Sequence, residues 1–449
     1  MPPRVAVHHL GCKLNQYEAE ALKAGFGGGG WRVVPFAEEA DVYVVNTCTV
    51  TGSGDADSRR AVRRARRTNP EALVVATGCY AQRRPEELRH SGAGLVVPNT
   101  DKAGLVDRVR EHLGAPPGAA AVHQGLTEAP APGPAPGKRP PTTRFLQIDG
   151  AVAEGRTRGT LQIQDGCDEH CTFCIIPSVR GPGASRPPAE VLAQARNMVE
   201  AGYRELALTG VHTGSYGRDR GEADAFAGLV HQLAAVEGLE RIRLNSIEPG
   251  YVSDRLIDIA ADTEKVCRHF HVPLQSGDDR VLRRMGRRCT SSRYAERITR
   301  IADRLPGCAI GADVMAGFPG EGEEHFEETS GLLERLPITY LHVFPYSERQ
   351  DTPAQRLDGH HGGDVKRRRV RELIALGEGK RLDFHRRHLG RRVRVLVEEE
   401  GGSGGLASGL TDNYIRVRFE TGGAPVRANS FVDVVLTRAR ETEAFGELV

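Results

Sequence analysis

No run of about 18 consecutive apolar residues occurs in the sequence, so no membrane-spanning helix is expected. Net charge is nearly absent too: 61 Lys and Arg against 59 Asp and Glu leave +2, and the whole-chain balance selects no class of partner. The opening MPPRVAVHHLGC has a short apolar run broken by histidines and no cleavage-like site, so no secretory signal is expected. Nine cysteines is an odd number. Without a signal, it argues against a disulfide framework and for a reducing cytoplasm with metal chemistry. The most informative lack is a fourth thiol. GCDEHCTFCIIP, residues 166 to 177, sets Cys167, Cys171 and Cys174 in a C-x3-C-x2-C run that no fourth cysteine closes. Structural zinc takes four ligands and an ordinary ferredoxin cluster takes four cysteines. Three thiols suit a site with an open position.

The 449-residue chain is long enough for two or three domains. The Pro/Ala/Gly-rich segment 115–142 cannot build a core and reads as a linker after an N-terminal domain of residues 1–114. Over residues 143–388, β-type runs (TLQIQ, ELALTG, RIRLNS, HFHVPL, AIGADVMAG, YLHVFPY) alternate with segments of helical period. That alternation predicts a parallel α/β architecture, and no other internal repeat is evident. From 389 to 449 the pattern turns all-β, with the length of a small five-stranded barrel. GFGGGGW, residues 25–31, reads only as a flexible turn.

A second set of three cysteines is spread through the N-terminal domain. The apolar strands in VAVHHLGC, DVYVVNTC and ALVVATGC are each followed within a residue or two by Cys12, Cys48 or Cys79. In an open parallel sheet all strand carboxyl ends lie on one edge, where ligands bind, so these thiols are expected to converge. For the first set, His170 could complete a zinc site. It immediately precedes Cys171, however, and no second C-x2-C pair faces the group, so spacing favours a [4Fe–4S] cluster with one exchangeable iron.

At this point the sequence resembles a known family. C-x3-C-x2-C after a first barrel strand resembles the radical S-adenosylmethionine (SAM) superfamily. GCKLNQYEAE, VNTCTVT, ATGCYAQ, QDGCDEHCTFCIIP, HVPLQSGDD, GADVMAGFPGE and VFPYS extend the resemblance to its methylthiotransferase family. The resemblance implies an N-terminal open parallel α/β domain, a partial (β/α)6 radical SAM barrel and a C-terminal small all-β TRAM barrel. It implies that Cys167, Cys171 and Cys174 hold the radical cluster, on whose open iron SAM is split to methionine and a 5′-deoxyadenosyl radical. Cys12, Cys48 and Cys79 would hold an auxiliary [4Fe–4S] cluster that supplies or presents the sulfur. Catalytic groups in such barrels come from strand carboxyl ends. Thr209, Ser246, Glu248, Gln275 and Asp313 are therefore expected SAM contacts, with Phe318 in the GFPG loop.

In SRRAVRRARR, residues 58–67, six arginines fall on one side of a helical wheel and Ala61, Val62 and Ala65 on the other. A face of one sign, including Arg60, Arg63 and Arg67, reads as a phosphate-binding surface. Lys366–Arg369, Arg386, Arg387, Arg391 and Arg392 add a second basic region. RNA is the favoured partner, and neither DNA nor a membrane is expected. Three branches of the family differ after the first strand: GCQMN for isopentenyladenosine, GCxKN for a ribosomal-protein aspartate. GCKLN resembles the third, which modifies N6-threonylcarbamoyladenosine at position 37 of the tRNA anticodon loop. Asn245 in LNSIEP and Ala19 in QYEAE stand where that resemblance calls for Ser and Thr. An external one-electron donor such as flavodoxin or ferredoxin is implied. The rival classes are a catalytically silent, metal-stabilised RNA-binding protein and a simple electron carrier; only an enzyme would form 5′-deoxyadenosine.

Overall fold

The structure, a computed structural model, describes residues 1–114, 145–148, 157–401 and 406–449, so the expected linker at 115–142 lies outside the described residues. The first strands are β1 (Arg4–His9), β2 (Arg32–Val34), β3 (Val42–Thr47), β4 (Leu73–Gly78) and β5 (Leu95–Val96). They form one sheet in the order β2-β1-β3-β4-β5, and every pairing is parallel. Alternate residues feed two separate cores, as a sheet covered on both faces requires. Val5, Val42 and Val44 pack with Leu22 and Phe26 of the helix Lys13–Gly28. Ala6, Tyr43 and Val45 pack with Ala61, Val62 and Ala65 of the helix Gly52–Thr68. The glycine-rich stretch expected as a turn is instead the end of the first helix, which continues to Gly28. The buried ring of Phe26 anchors that last turn edge-on against Trp31 at 5.5 Å, and this contact offsets the poor helix propensity of glycine.

The middle of the chain contains β6 (Arg158–Gln162), a short ribbon of β7 (Gln164–Asp165) and β8 (Ala184–Ser185), then β9 (Glu205–Thr209) and β10 (Arg241–Leu244). These are followed by β11 (His269–His271), β12 (Ala309–Ala316) and β13 (Tyr340–Pro345). Two parallel sheets, β10-β9-β6 and β11-β12-β13, are joined by the parallel bridges Ile242↔Val266 and Ser246↔His271. Six parallel strands, β6 and β9 to β13, therefore follow one another, as the alternation predicts, in the partial barrel that the family resemblance implies. Helices cover its outside and share one large core with it, including Leu161, Val191, Leu208, Ile242, Phe270 and Ile310.

The helix Gly363–Arg386 then leads into β14 (Arg392–Glu399), β15 (Leu406–Thr411), β16 (Arg416–Glu420), β17 (Phe431–Ala439) and β18 (Ala444–Leu448). These close in the order β14-β15-β16-β18-β17 around Val395, Val417, Phe419 and Leu436. Arg241 and Arg243 on β10 tie this barrel to the six-stranded one by donating to backbone carbonyls of Leu410, Thr411 and Asp412. Among the described residues, no helix is long and apolar enough to cross a membrane.

Candidate active site

Strands β1, β3 and β4 are neighbours in the sheet, so the residues just past their carboxyl ends lie side by side. Cys12, Cys48 and Cys79 occupy those places. The helix Lys13–Gly28 starts directly after Cys12, and the helix Cys79–Arg83 starts on Cys79 itself. Gly11 sets the closeness of the group: its φ is +85°, and a Cβ there would meet Cys48 Sγ at 2.5 Å. Burial, with smaller effects from Cys79 and Cys12, pushes the Cys48 thiol up to about 11. The protein packed around Cys12 raises its thiol too, although the residue itself is exposed to solvent. Such thiols stay protonated unless a metal takes them as thiolates.

The second set lies on the loop after β7. Gly166 has φ +70°, and a Cβ there would run into Pro182 O at 1.9 Å, so the turn that presents Cys167 requires glycine. Cys167, Cys171 and Cys174 are half-buried free thiols. Burial moves Cys167 up to about 12 and Cys174 up to about 11. Three soft sulfur donors in each set, gathered beside turns that only glycine allows, fit an iron–sulfur cluster with one iron not bound by protein.

The two sets face each other. Cys79 packs with Ile175 and Val179, immediately past Cys174. A buried polar network crosses the same contact. The fully buried Arg180 donates from Nε to Cys79 Sγ at 3.3 Å, from Nη1 to Glu18 at 3.0 Å and to Asp165 at 3.0 Å, and from Nη2 to Asn15 at 2.9 Å. Lys102 reaches Glu18 at 2.6 Å. Burial alone would raise the Glu18 carboxyl, but Arg180 and Lys102 outweigh it and hold it down at about 2. The sequence reading missed Arg180, Glu18 and Asn15. Both arginines of SVRGPGASR, Arg180 and Arg186, are buried, and no pattern in that stretch signals it.

The expected SAM contacts separate into three groups. Glu248 lines a cavity of about 420 Å³ with Cys171 and Arg287, and Arg287 donates to Glu248 at 2.7 Å. Cys289, which belongs to neither set of three, lines that cavity too. Thr209, Ser246 and Asp313 line a different cavity of about 310 Å³, which runs from Cys12 into the barrel and also takes in Lys13, Asn245 and His342. There Asp313 accepts from His271 at 2.9 Å and His342 at 3.3 Å. Burial alone would raise its carboxyl, yet the two histidines hold it well below the usual range. The ligand atoms of these three side chains lie within 4.8 Å of one another. Their mutual hydrogen bonds satisfy them without an ion. Gln275 and Phe318 line neither cavity. Gln275 is mostly buried at φ +71°, and the ring of Phe318 is fully buried among Met285, Met315 and Tyr346. Phe318 belongs to a loop expected to approach SAM through its backbone, and its buried ring supports the GFPG turn from beneath.

Burial places the basic helix as the wheel does, with Ala61, Val62 and Ala65 inside and Arg60, Arg63 and Arg67 exposed. Three of the six arginines have partners within the protein, among them the exposed Arg60, which pairs with Asp57 at 3.2 Å. Arg59 bonds Tyr80 and Glu87, and Arg66 donates to the carbonyls of Pro70 and Ala72. In the second basic region Arg369 is buried against Glu321, and Arg368 pairs with Glu323.

Residues 161–333 match the family described as the radical SAM superfamily, 4–97 the uncharacterized protein family UPF0004, and 386–449 the TRAM domain. Over 424 residues the chain is 40% identical to a protein of Bacillus subtilis named threonylcarbamoyladenosine tRNA methylthiotransferase MtaB, covering 93% of this chain and 90% of that one. The chain belongs to the radical SAM tRNA methylthiotransferase family. Other relatives in the family carry a second name. A tRNA-2-methylthio-N(6)-dimethylallyladenosine synthase of Syntrophotalea carbinolica is 33% identical, with 98% of each chain covered. Among solved structures, the radical SAM methyltransferase TsrM of Kitasatospora setae superposes with TM-score 0.56 at 17% identity, over 79% of this chain and 77% of that one. That similarity supports the fold alone. Family membership makes the chain an enzyme that transfers a sulfur-containing group, using SAM and [4Fe–4S] clusters.

Proposed function

We propose that the protein inserts a methylthio group at C2 of N6-threonylcarbamoyladenosine at position 37, in the anticodon loop of tRNA. The observation that carries this reading is the meeting of two independent thiol triads at one interdomain contact, with Cys79 against the segment just past Cys174. One triad is the radical site and the other the sulfur site. Cys167, Cys171 and Cys174 would hold the cluster that binds SAM, and Cys12, Cys48 and Cys79 the auxiliary one. SAM bound at a reduced cluster supplies radical chemistry, and a further SAM supplies the methyl group.

The chain's own residues position and enclose this chemistry. Arg180 clamps Cys79 to Glu18 and Asp165, fixing one thiol set against the other where a misplacement of about 1 Å is costly. Ile175 and Val179 exclude water at the contact. Glu248 and Arg287 sit beside Cys171, a charged pair fit to orient the amino and carboxylate groups of SAM. The exposed Arg60, Arg63 and Arg67 supply phosphate contacts for tRNA, and an external one-electron donor completes the reaction.

The threonylcarbamoyl substrate, as against isopentenyladenosine, is supported by the name of the 40%-identical relative and by GCKLN after β1. The test is nucleoside mass spectrometry of tRNA after reaction with the anaerobically reconstituted protein, SAM and a reductant. Methylthio-threonylcarbamoyladenosine is expected. Product on isopentenyladenosine alone would contradict the proposal.

A further inference from the structure

Two sequence features remain outside the reading above: the lysine of GCKLN and the asparagine of LNSIEP. They meet in the fold. Lys13 Nζ donates to Asn245 Oδ1 at 2.7 Å, across 232 residues of sequence, in the cavity that begins at Cys12 and enters the barrel.

The charge balance of that cavity is unusual. Lys13 has no carboxylate partner among the described residues; its one hydrogen bond is to the neutral Asn245 amide. The acids nearby are occupied. Asp313 is taken by His271 at 2.9 Å and His342 at 3.3 Å, and Glu205 by Arg243 at 2.7 Å. Asn245 Nδ2 is buried with no acceptor of its own among the described residues. The exposed Lys13 ammonium therefore stands at a cavity whose one lining carboxylate, Asp313, is already taken by two histidines, and it has no anion of its own there. Such an ammonium gains a charge-assisted hydrogen bond from an anionic group that enters the cavity and gains none from an apolar one.

The chemistry of the substrate supplies an acceptor. In adenine, C2 and C6 both flank N1, so a base whose C2 faces the Cys12 triad carries its N6 substituent into neighbouring space. The threonylcarbamoyl group ends in a carboxylate, whereas an isopentenyl group is apolar and would leave the ammonium unpaired. We infer that Lys13, oriented by Asn245, recognises the carboxylate of the N6 substituent and so selects an anionic N6 group over an apolar one. This inference rests on the substrate proposed above.

The test uses the full-length, reconstituted protein and two synthetic anticodon stem-loop RNAs, one carrying threonylcarbamoyladenosine and one its carboxylate methyl ester. Wild-type protein is expected to prefer the acid over the ester in kcat/KM by roughly 10- to 100-fold, the worth of one charge-assisted hydrogen bond. In Lys13→Met that ratio falls to about one, and fluorescence anisotropy shows the same loss of preference in binding. Asn245→Ser, which leaves the chain next to Cys12 untouched, lowers the ratio several-fold, a fraction of the Lys13 effect. Iron content and tRNA-free SAM cleavage are measured in each variant. An acid-to-ester ratio unchanged in both variants overturns the assignment, and so does a raised SAM requirement in tRNA-free cleavage, which would make SAM the anion that Lys13 holds. Wild-type protein that methylthiolates neither RNA but does act on an isopentenyladenosine stem-loop refutes the proposed substrate itself, independently of either variant.

Discussion

The two thiol triads are chemically alike and built in opposite ways. Cys167, Cys171 and Cys174 come from one loop, and their convergence needs little more than the turn at Gly166. Cys12, Cys48 and Cys79 come from three strands and converge only because β1, β3 and β4 are adjacent in the sheet. The local set can form wherever its loop is ordered. The distributed set depends on the register of a whole domain and on the interdomain clamp at Arg180. A local triad suits a cofactor used in many reactions; a distributed one ties its chemistry to a particular fold.

The largest expected effect comes from removing the local triad. Replacing Cys167, Cys171 and Cys174 by Ala should halve the iron of the reconstituted protein, from about eight to about four per chain, and abolish formation of 5′-deoxyadenosine. Iron analysis and chromatography of the SAM products check this. Stoichiometric zinc in place of iron in the wild type would break the comparison at its root.

The clamp between the two sets gives the next effect. Glu18 is held near 2 in the folded protein against 4.5 ordinarily, so its contribution is fully present above about pH 4.5 and is lost as pH falls toward 2. That difference corresponds to stability of the order of 3 kcal/mol. Denaturant midpoints of the cluster-free protein should fall over that window. In Arg180→Gln, already destabilised by about 3–5 kcal/mol, this acid-dependent part should shrink to what Lys102 alone sustains.

How far each triad could be read from sequence follows from the same contrast. The loop triad was visible as spacing. The sheet triad was visible because a strand, a turn and a cysteine recur three times, and β-branched runs such as VYVVNT declare buried parallel strands. The alternation over residues 143–388 likewise predicted six parallel strands. What stayed hidden was the contact between the sets. Nothing in the pattern of SVRGPGASR announces that Arg180 will be buried against Glu18, because the partner lies 162 residues away. Side-chain burial was equally opaque: Phe318 shares its motif with loop glycines yet packs in a core. Arg59 and Arg66 share a wheel face with Arg63 yet bond within the protein.

Smaller effects sharpen the picture at the periphery. Reversing Arg60, Arg63 and Arg67 to Glu should weaken tRNA binding and flatten its dependence on salt, since these side chains meet phosphates rather than bases. SAM cleavage without tRNA should survive. Filter binding across a salt series measures both the affinity and the slope, and unchanged values would return the helix to a plain solvated face. The smallest effect is expected at Cys267, Cys289 and Cys308. Cys267 and Cys308 are buried, and Cys289 borders the cavity of Cys171 without belonging to its loop. Serine at all three should leave iron content unchanged, while loss of one cluster would show that the triads were wrongly drawn.

The central claim is that the two triads divide the reaction, one generating the radical and the other holding the sulfur. It is tested most directly in the variant with Ala at Cys12, Cys48 and Cys79, shown to be folded and to retain about four irons. Incubated with SAM, dithionite and threonylcarbamoyladenosine-bearing tRNA, it should still form 5′-deoxyadenosine while mass spectrometry of the digested tRNA finds no methylthio product. Methylthiolation at the wild-type rate would contradict the account and return Cys12, Cys48 and Cys79 to a structural role.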